Sequence, residues 1–205
     1  MDLLVNLIPS FSLISFSLSR SSSSVVSSVY IRRKWGVTPA RNNLSSPLLG
    51  LFNPRSACTL KVGPWGGSGD TSFDIIGQPT SQITKILVKT GAVVDSLVIS
   101  YVVDWEVQSY RAGGTGGVET HEFELGRGEY INKIFGSISD YNGETCISQL
   151  GFKTNLGKQH GPFGKGCGKE FSVPVVNGRI VGLFGQYTNY INAIGVSALL
   201  LSSLN

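Results

Sequence analysis

From Lys61 onward the chain is a succession of short apolar, β-branched runs that alternate with polar residues and end at glycine clusters. Alternation with period two lays successive side chains on opposite faces of a strand, so such runs bury one face of a sheet and wet the other. Nothing between Gly63 and Gln186 sustains an apolar stripe at helical spacing. The pattern predicts strands at Ser72–Ile76, Gln82–Lys89, Ser96–Val103, Thr120–Leu125, Tyr130–Ser137, Cys146–Thr154, Glu170–Val175, Arg179–Phe184 and Tyr190–Leu200. Glycine is abundant where turns need positive φ, and apart from Pro174, next to the end of its run, proline falls outside these strands. The fold class is therefore all-β.

An internal repeat narrows it further. Gln82-Ile83-Thr84-Lys85-Ile86, Tyr130-Ile131-Asn132-Lys133-Ile134 and Tyr190-Ile191-Asn192-Ala193-Ile194 share an Ile-x-x-Ile frame, and the last two share Tyr-Ile-Asn. Their first isoleucines lie 48 and 60 residues apart. Repetition of one strand-pair unit predicts approximate threefold symmetry, each unit burying one face against the other two.

The 205 residues leave room for one domain and an appendage. The formal net charge of +4 is uneven: residues 1–56 hold six of the 17 basic residues and one of the 13 acidic ones, leaving 11 basic against 12 acidic. A near-neutral domain has no electrostatic case for nucleic acid. Residues 1–56 are rich in Ser and carry Arg, and after Asp2 have no acidic residue before Asp70. That composition predicts a disordered, transit-peptide-like leader ahead of a domain at 57–205, and with it a plastid or mitochondrion; without a transit function the expectation is cytoplasmic. The apolar run Leu3–Leu18 is interrupted by Pro9 and several serines, so no membrane span is expected. Asn43-Leu44-Ser45 is a glycosylation triplet that matters only in a secreted chain.

The usual catalytic constellations are missing. In Gly161–Lys169, GPFGKGCGK, neither Gly-Lys pair has the upstream glycine or the following Ser/Thr of a P-loop. Glu122 and Glu124 share a strand face, but paired carboxylates on an edge strand read as solvated charge. His121 and His160 have no partners at triad or metal-ligand spacing, and Cys58, Cys146 and Cys167 form neither a disulfide framework nor a zinc set. The chain reads as a non-enzyme with no cofactor and no metal.

What remains is a polar surplus at the last turn: Gln186, Tyr187, Thr188, Asn189, Tyr190 and then Asn192. Seven stretches in order carry a resemblance: Gly63–Gly69 (GPWGGSG), Ile83–Ile86, Gly128–Ile131, Leu150–Asn155, His160–Gly164, Arg179–Gly185 and Tyr190–Val196. Together they resemble the landmarks of jacalin-related lectins, from about Lys61 to Leu200. The resemblance implies a β-prism I of three four-stranded sheets with pseudo-threefold symmetry. It also implies non-catalytic recognition of a carbohydrate of the mannose or galactose type, and association into homo-oligomers. The sugar is expected between the glycine-rich N-terminal loop and the last hairpin. There Asn192 stands at the place of the family's aspartate, preceded by Asn189, Tyr190 and Ile191; Asp70 replaces a loop glycine, and Thr145 lies in the second-repeat loop. The alternative is a structural or protein-interaction prism that has lost its sugar.

Overall fold

The computed structural model describes residues 15–21, 24–30, 59–75 and 78–200. Among the described residues the elements are all strands. One sheet has the order β7 (Glu106–Gly113), β6 (Val94–Val103), β5 (Gln82–Thr90), β8 (Glu119–Glu124). A second repeats it with β11 (Gln159–Phe163), β10 (Glu144–Thr154), β9 (Ile131–Tyr141), β12 (Lys169–Pro174). The third is β3 (Thr59–Gly66), β14 (Ile191–Leu200), β13 (Gly178–Tyr187), β4 (Thr71–Asp74). Each sheet is thus a central hairpin flanked by two edge strands, all antiparallel, as a three-sheet prism requires. In the third sheet β3, from the domain's start, pairs with β14, from its end.

The central hairpins share a detail that explains the repeat. In each, the register slips by one residue twice. On the first strand Thr84, Asn132 and Val181 have no opposite residue; on the second Asp95, Ser148 and Asn192 have none. An extra, bulged residue brings side chains three apart onto one face. Ile83 and Ile86, Ile131 and Ile134, and Ile180 and Leu183 therefore all point inward, each no more than 2% exposed. So do Val94 and Leu97, Ile147 and Leu150, and Ile191 and Ile194, all fully buried. Burying such a side chain is worth about 2 kcal/mol, so the bulges position most of the core.

This corrects the sequence-based repeat. The third copy of the Ile83 frame is Ile180-Val181-Gly182-Leu183, which makes the separations 48 and 49 residues. Ile191–Ile194 belongs to a second series, with Val94–Leu97 and Ile147–Leu150, on the partner strands. The shared Tyr-Ile-Asn misled because both series carry the same bulge signature.

Each second-strand bulge carbonyl rests on a glycine at the end of the neighbouring edge strand. Gly66, Gly113 and Gly164 have φ of +125°, +96° and +106°. A Cβ there would lie 2.0 Å from the Asn192 carbonyl oxygen, 2.3 Å from that of Asp95 and 2.3 Å from that of Ser148. The next N–H closes the contact where Gly67 donates to Asn192 O at 2.9 Å and Gly114 to Asp95 O at 3.0 Å. Three glycine-rich runs are thereby held against three hairpins.

The strands that the alternation missed, β3, β7 and β11, are all edges. β3 contains Gly63-Pro64, β11 contains Gly161-Pro162, and Glu106–Ser109 of β7 is exposed. An edge strand tolerates proline and need not bury alternate residues, so the sequence signal is absent there. Trp65 on β3 packs against the core, stacked on Phe171 with ring centroids 6.3 Å apart.

The leader departs from the expectation of disorder in one place. β1 (Ser15–Ser21) and β2 (Ser24–Tyr30) form a hairpin, and β2 runs parallel to β12, pairing Val25 with Phe171. The second sheet thus has six strands. The β-branched Val25, Val26 and Val29 suit a strand, and β12 offers a free edge. The rest of residues 1–56, with the Asn43 triplet, Cys58 and Ile76, lies outside the described residues.

The glycine contact is testable by contrast with Gly128, which has φ +75° but nothing within 4 Å of an added Cβ. Gly128→Ala is expected to cost about 1 kcal/mol, the conformational term alone. Gly113→Ala adds the clash with Asp95 and is expected to cost about 3 kcal/mol or more. Equal losses in urea unfolding would contradict the contact.

Candidate functional site

Three segments from distant parts of the chain meet at the end of the third sheet. They are residues 66–70 after β3, residues 142–145 at the β9–β10 turn, and residues 188–192 at the β13–β14 turn. The first threads between the other two and has no room for a side chain at its glycines. A Cβ on Gly67 would lie 2.4 Å from Thr145 O, and one on Gly69 would lie 2.7 Å from Tyr187 N. Gly69 N–H donates to Gln186 Oε1 at 3.1 Å, which ties the loop to β13.

The structure gathers most of the residues expected from sequence, in different roles. Asn192, the third-sheet bulge residue, is 0% exposed. Its Nδ2 donates to Glu144 Oε2 at 3.0 Å and to Thr145 O at 3.4 Å, while Oδ1 is buried without a partner. Ile191 is wholly in the core, so only its backbone can face a ligand. Thr145 is exposed, with its hydroxyl donating to Asp140 Oδ1 at 2.5 Å. Asn189 is exposed at the tip of the turn. Tyr190 is half-buried, set edge-on to Tyr141 at 5.3 Å and 83°, and its hydroxyl accepts from Asn142 Nδ2 at 3.1 Å. Asp70 is exposed at the far end of the glycine run, next to Thr71, which pairs with Tyr187.

Sequence reasoning missed Glu144. Its Oε2 accepts from the Thr188 hydroxyl as well as from Asn192 Nδ2. These two bonds, Thr188 first, hold the carboxyl below the ordinary glutamate range. The available signal was Asn142-Gly143, with φ of +51° and +82°, the usual dipeptide of a two-residue hairpin turn. It marks the β9–β10 turn as the second-sheet counterpart of the β13–β14 turn.

The pseudo-symmetry places Asp95 in the first sheet where Asn192 sits in the third. It is 6% exposed, and its Oδ2 is buried without a partner. Burial pushes its carboxyl up, against a hydrogen bond from Gly91 N–H. An open cleft of about 610 Å³ lies nearby, lined by Gly91, Val93, Ser139, Tyr141, Lys165 and Cys167.

The groups that could suggest catalysis have structural partners. Lys85 Nζ lies 2.5 Å from Glu122 and 3.4 Å from Glu124. His121 stacks on Phe163 at 4.6 Å and His160 on Phe123 at 3.9 Å. Cys146 is buried with its thiol pushed up to about 11, chiefly by desolvation; Cys167 is exposed. Among the described residues no cluster of His, Cys, Asp and Glu could hold a metal ion.

The family model for the jacalin-like lectin domain matches residues 62–197, nearly the whole span of strands β3 to β14. The chain belongs to the jacalin-like lectin family. Horcolin of Hordeum vulgare is 33% identical over 140 residues, 66% of this chain and 94% of horcolin. The mannose/glucose-specific lectin of Parkia pendula is 31% identical over 145 residues, 67% of this chain and 31% of that longer protein. Among solved structures, Malaysian banana lectin F84T superposes with TM-score 0.66 at 37% identity, covering 70% of this chain and 99% of that one. The mannose-binding jacalin-related lectin of Ananas comosus gives 0.64 at 34% identity, covering 69% and 98%. This jacalin-like domain therefore shares its prism with relatives named as mannose-binding.

The Glu144 bonds carry a sign that can be measured. A carboxyl with a lowered folded pKa stabilises the hairpin above its ordinary value of 4.5, and that stabilisation is lost as pH falls through the folded value. Carbon-13 NMR titration should place the Glu144 midpoint below 4.5, and Thr188→Val should move it up. An unchanged midpoint would contradict the assigned cause.

Proposed function

We propose that the protein is a non-catalytic lectin that takes a neutral, mannose-type sugar between its glycine-rich loop and its last hairpin. A pyranose presents hydroxyls that both donate and accept, so its receptor needs carbonyl or carboxylate acceptors beside backbone N–H donors. The observation that carries the reading is the meeting of residues 66–70, 142–145 and 188–192 around the bulge at Asn192. The glycine run leaves backbone where side chains would close the space. Asn189 at the rim offers one acceptor oxygen and two donor hydrogens. Asp70 flanks the same end, and backbone groups of Tyr190 and Ile191 complete the ring of contacts. The named specificity of the Parkia pendula and Ananas comosus relatives supports mannose as the first sugar to test.

One observation favours a second reading, a prism kept for structure or protein interaction. The Asn192 side chain is fully buried and its Nδ2 is already bonded within the protein. A sugar that must compete for those bonds would bind weakly. Glycan-array binding followed by calorimetry with methyl α-mannoside decides between the two. The lectin reading expects mannose-type binding that Asn189→Ala weakens about five- to tenfold, the worth of one hydrogen bond. Silence across the whole array would leave the structural module.

A further inference from the structure

Residues 66–70, 142–145 and 188–192 contribute two carboxylates, Asp70 and Glu144. They differ in how firmly they are held. Asp70 is exposed, whereas Glu144 is half-buried and anchored across two hairpins by Thr188 and Asn192. Both anchoring bonds end on Oε2. The Asn192 bond also fixes that side chain, because its NH2 must face the carboxylate and its Oδ1 must turn away. Oδ1 then lies buried with no partner.

We propose that Glu144 is the sugar-binding carboxylate of this site, supplied by the second sheet's hairpin to a pocket of the third, with Asn192 as the residue that positions it. The inference rests on the sugar-binding reading above and names the group that does the binding. Glu144 Oε1, which takes part in neither anchoring bond, accepts from the hydroxyls of a vicinal pair, while Oε2, held by Thr188 and Asn192, keeps the carboxylate in place. Bonds to an ionised acceptor are about twice as strong as neutral ones, and an anchored side chain loses little freedom when the ligand arrives. The ligand class is a neutral vicinal diol. A uronic or sialic acid would bring a second negative charge to the same wall and is excluded by repulsion.

A purely structural Glu144 would hold the hairpin shut and have no effect on which sugar binds. The swap of charge between positions separates the two roles. Calorimetry on the full chain with methyl α-mannoside and with mannuronate is compared for wild type, E144Q, N192D and the double variant E144Q/N192D. E144Q should weaken mannoside binding about tenfold or more and narrow the preference over mannuronate. N192D alone should not tighten binding, since it sets a second carboxylate against the first. The double variant restores a carboxylate–amide pair in reverse, which keeps the contact between the hairpins but sets the carboxylate at the buried position. It should unfold like wild type and bind the mannoside as weakly as E144Q, separating loss of the sugar contact from a folding defect, whereas recovery of wild-type affinity would assign Glu144 a structural role. Wild-type binding that E144Q leaves unchanged in both affinity and preference overturns the role of Glu144 while leaving the lectin reading intact. A wild type that binds neither sugar removes the lectin reading and this inference with it.

Discussion

A backbone carbonyl resting on a side-chain-free residue is the contact on which the rest of this prism depends. At Asn192, Asp95 and Ser148 the strand carries one residue too many, and its carbonyl presses on Gly66, Gly113 or Gly164 at a distance no Cβ could occupy. Each bulge turns side chains three apart onto one face, and that is how the paired isoleucines, valine and leucines of six strands reach a common core. The glycine's positive φ then redirects the edge strand into a loop beside the hairpin. Core and loop position are thus set by the same few atoms, and neither can change without the other.

The polar cluster at the end of the third sheet is a consequence. A bulged residue lies outside the inward and outward alternation of its strand, so it is free to be polar, and all three are: Asp95, Ser148 and Asn192. Being buried, each needs a partner. Asn192 finds its partner in Glu144 of another sheet, and Thr188 adds a second bond to the same oxygen. The pairing of β3 with β14 brings the chain's early glycine run to the same place. The site is therefore assembled from three remote segments by sheet topology rather than by any local motif.

Much of this was legible from residues and some was not. Alternation located the central hairpins because their strands bury one face, and it failed at β3, β7 and β11, where edge strands carry proline or exposed polar residues. The repeat was visible but misassigned, since Ile191–Ile194 and Ile83–Ile86 both carry a bulge spacing though they lie on non-equivalent strands. Resemblance led to Asn192, Asn189, Tyr190 and Thr145, which do come together. It did not show that Tyr190 packs edge-on against Tyr141 or that Asn192 is buried. Glu144 escaped because its bond to Asn192 spans 48 residues and two hairpins, a relation that only register and topology supply.

The proposed sugar site is the convergence of residues 66–70, 142–145 and 188–192. Titration of nitrogen-15-labelled protein with methyl α-mannoside, followed by amide chemical shifts, tests it most directly. Saturable shifts are expected in Gly67–Asp70, Gly143–Thr145 and Thr188–Asn192, with the bulge at Ser148 and the turn at Asp104-Trp105 unmoved. Saturable shifts centred on any other region of the prism, with those three segments silent, would contradict it.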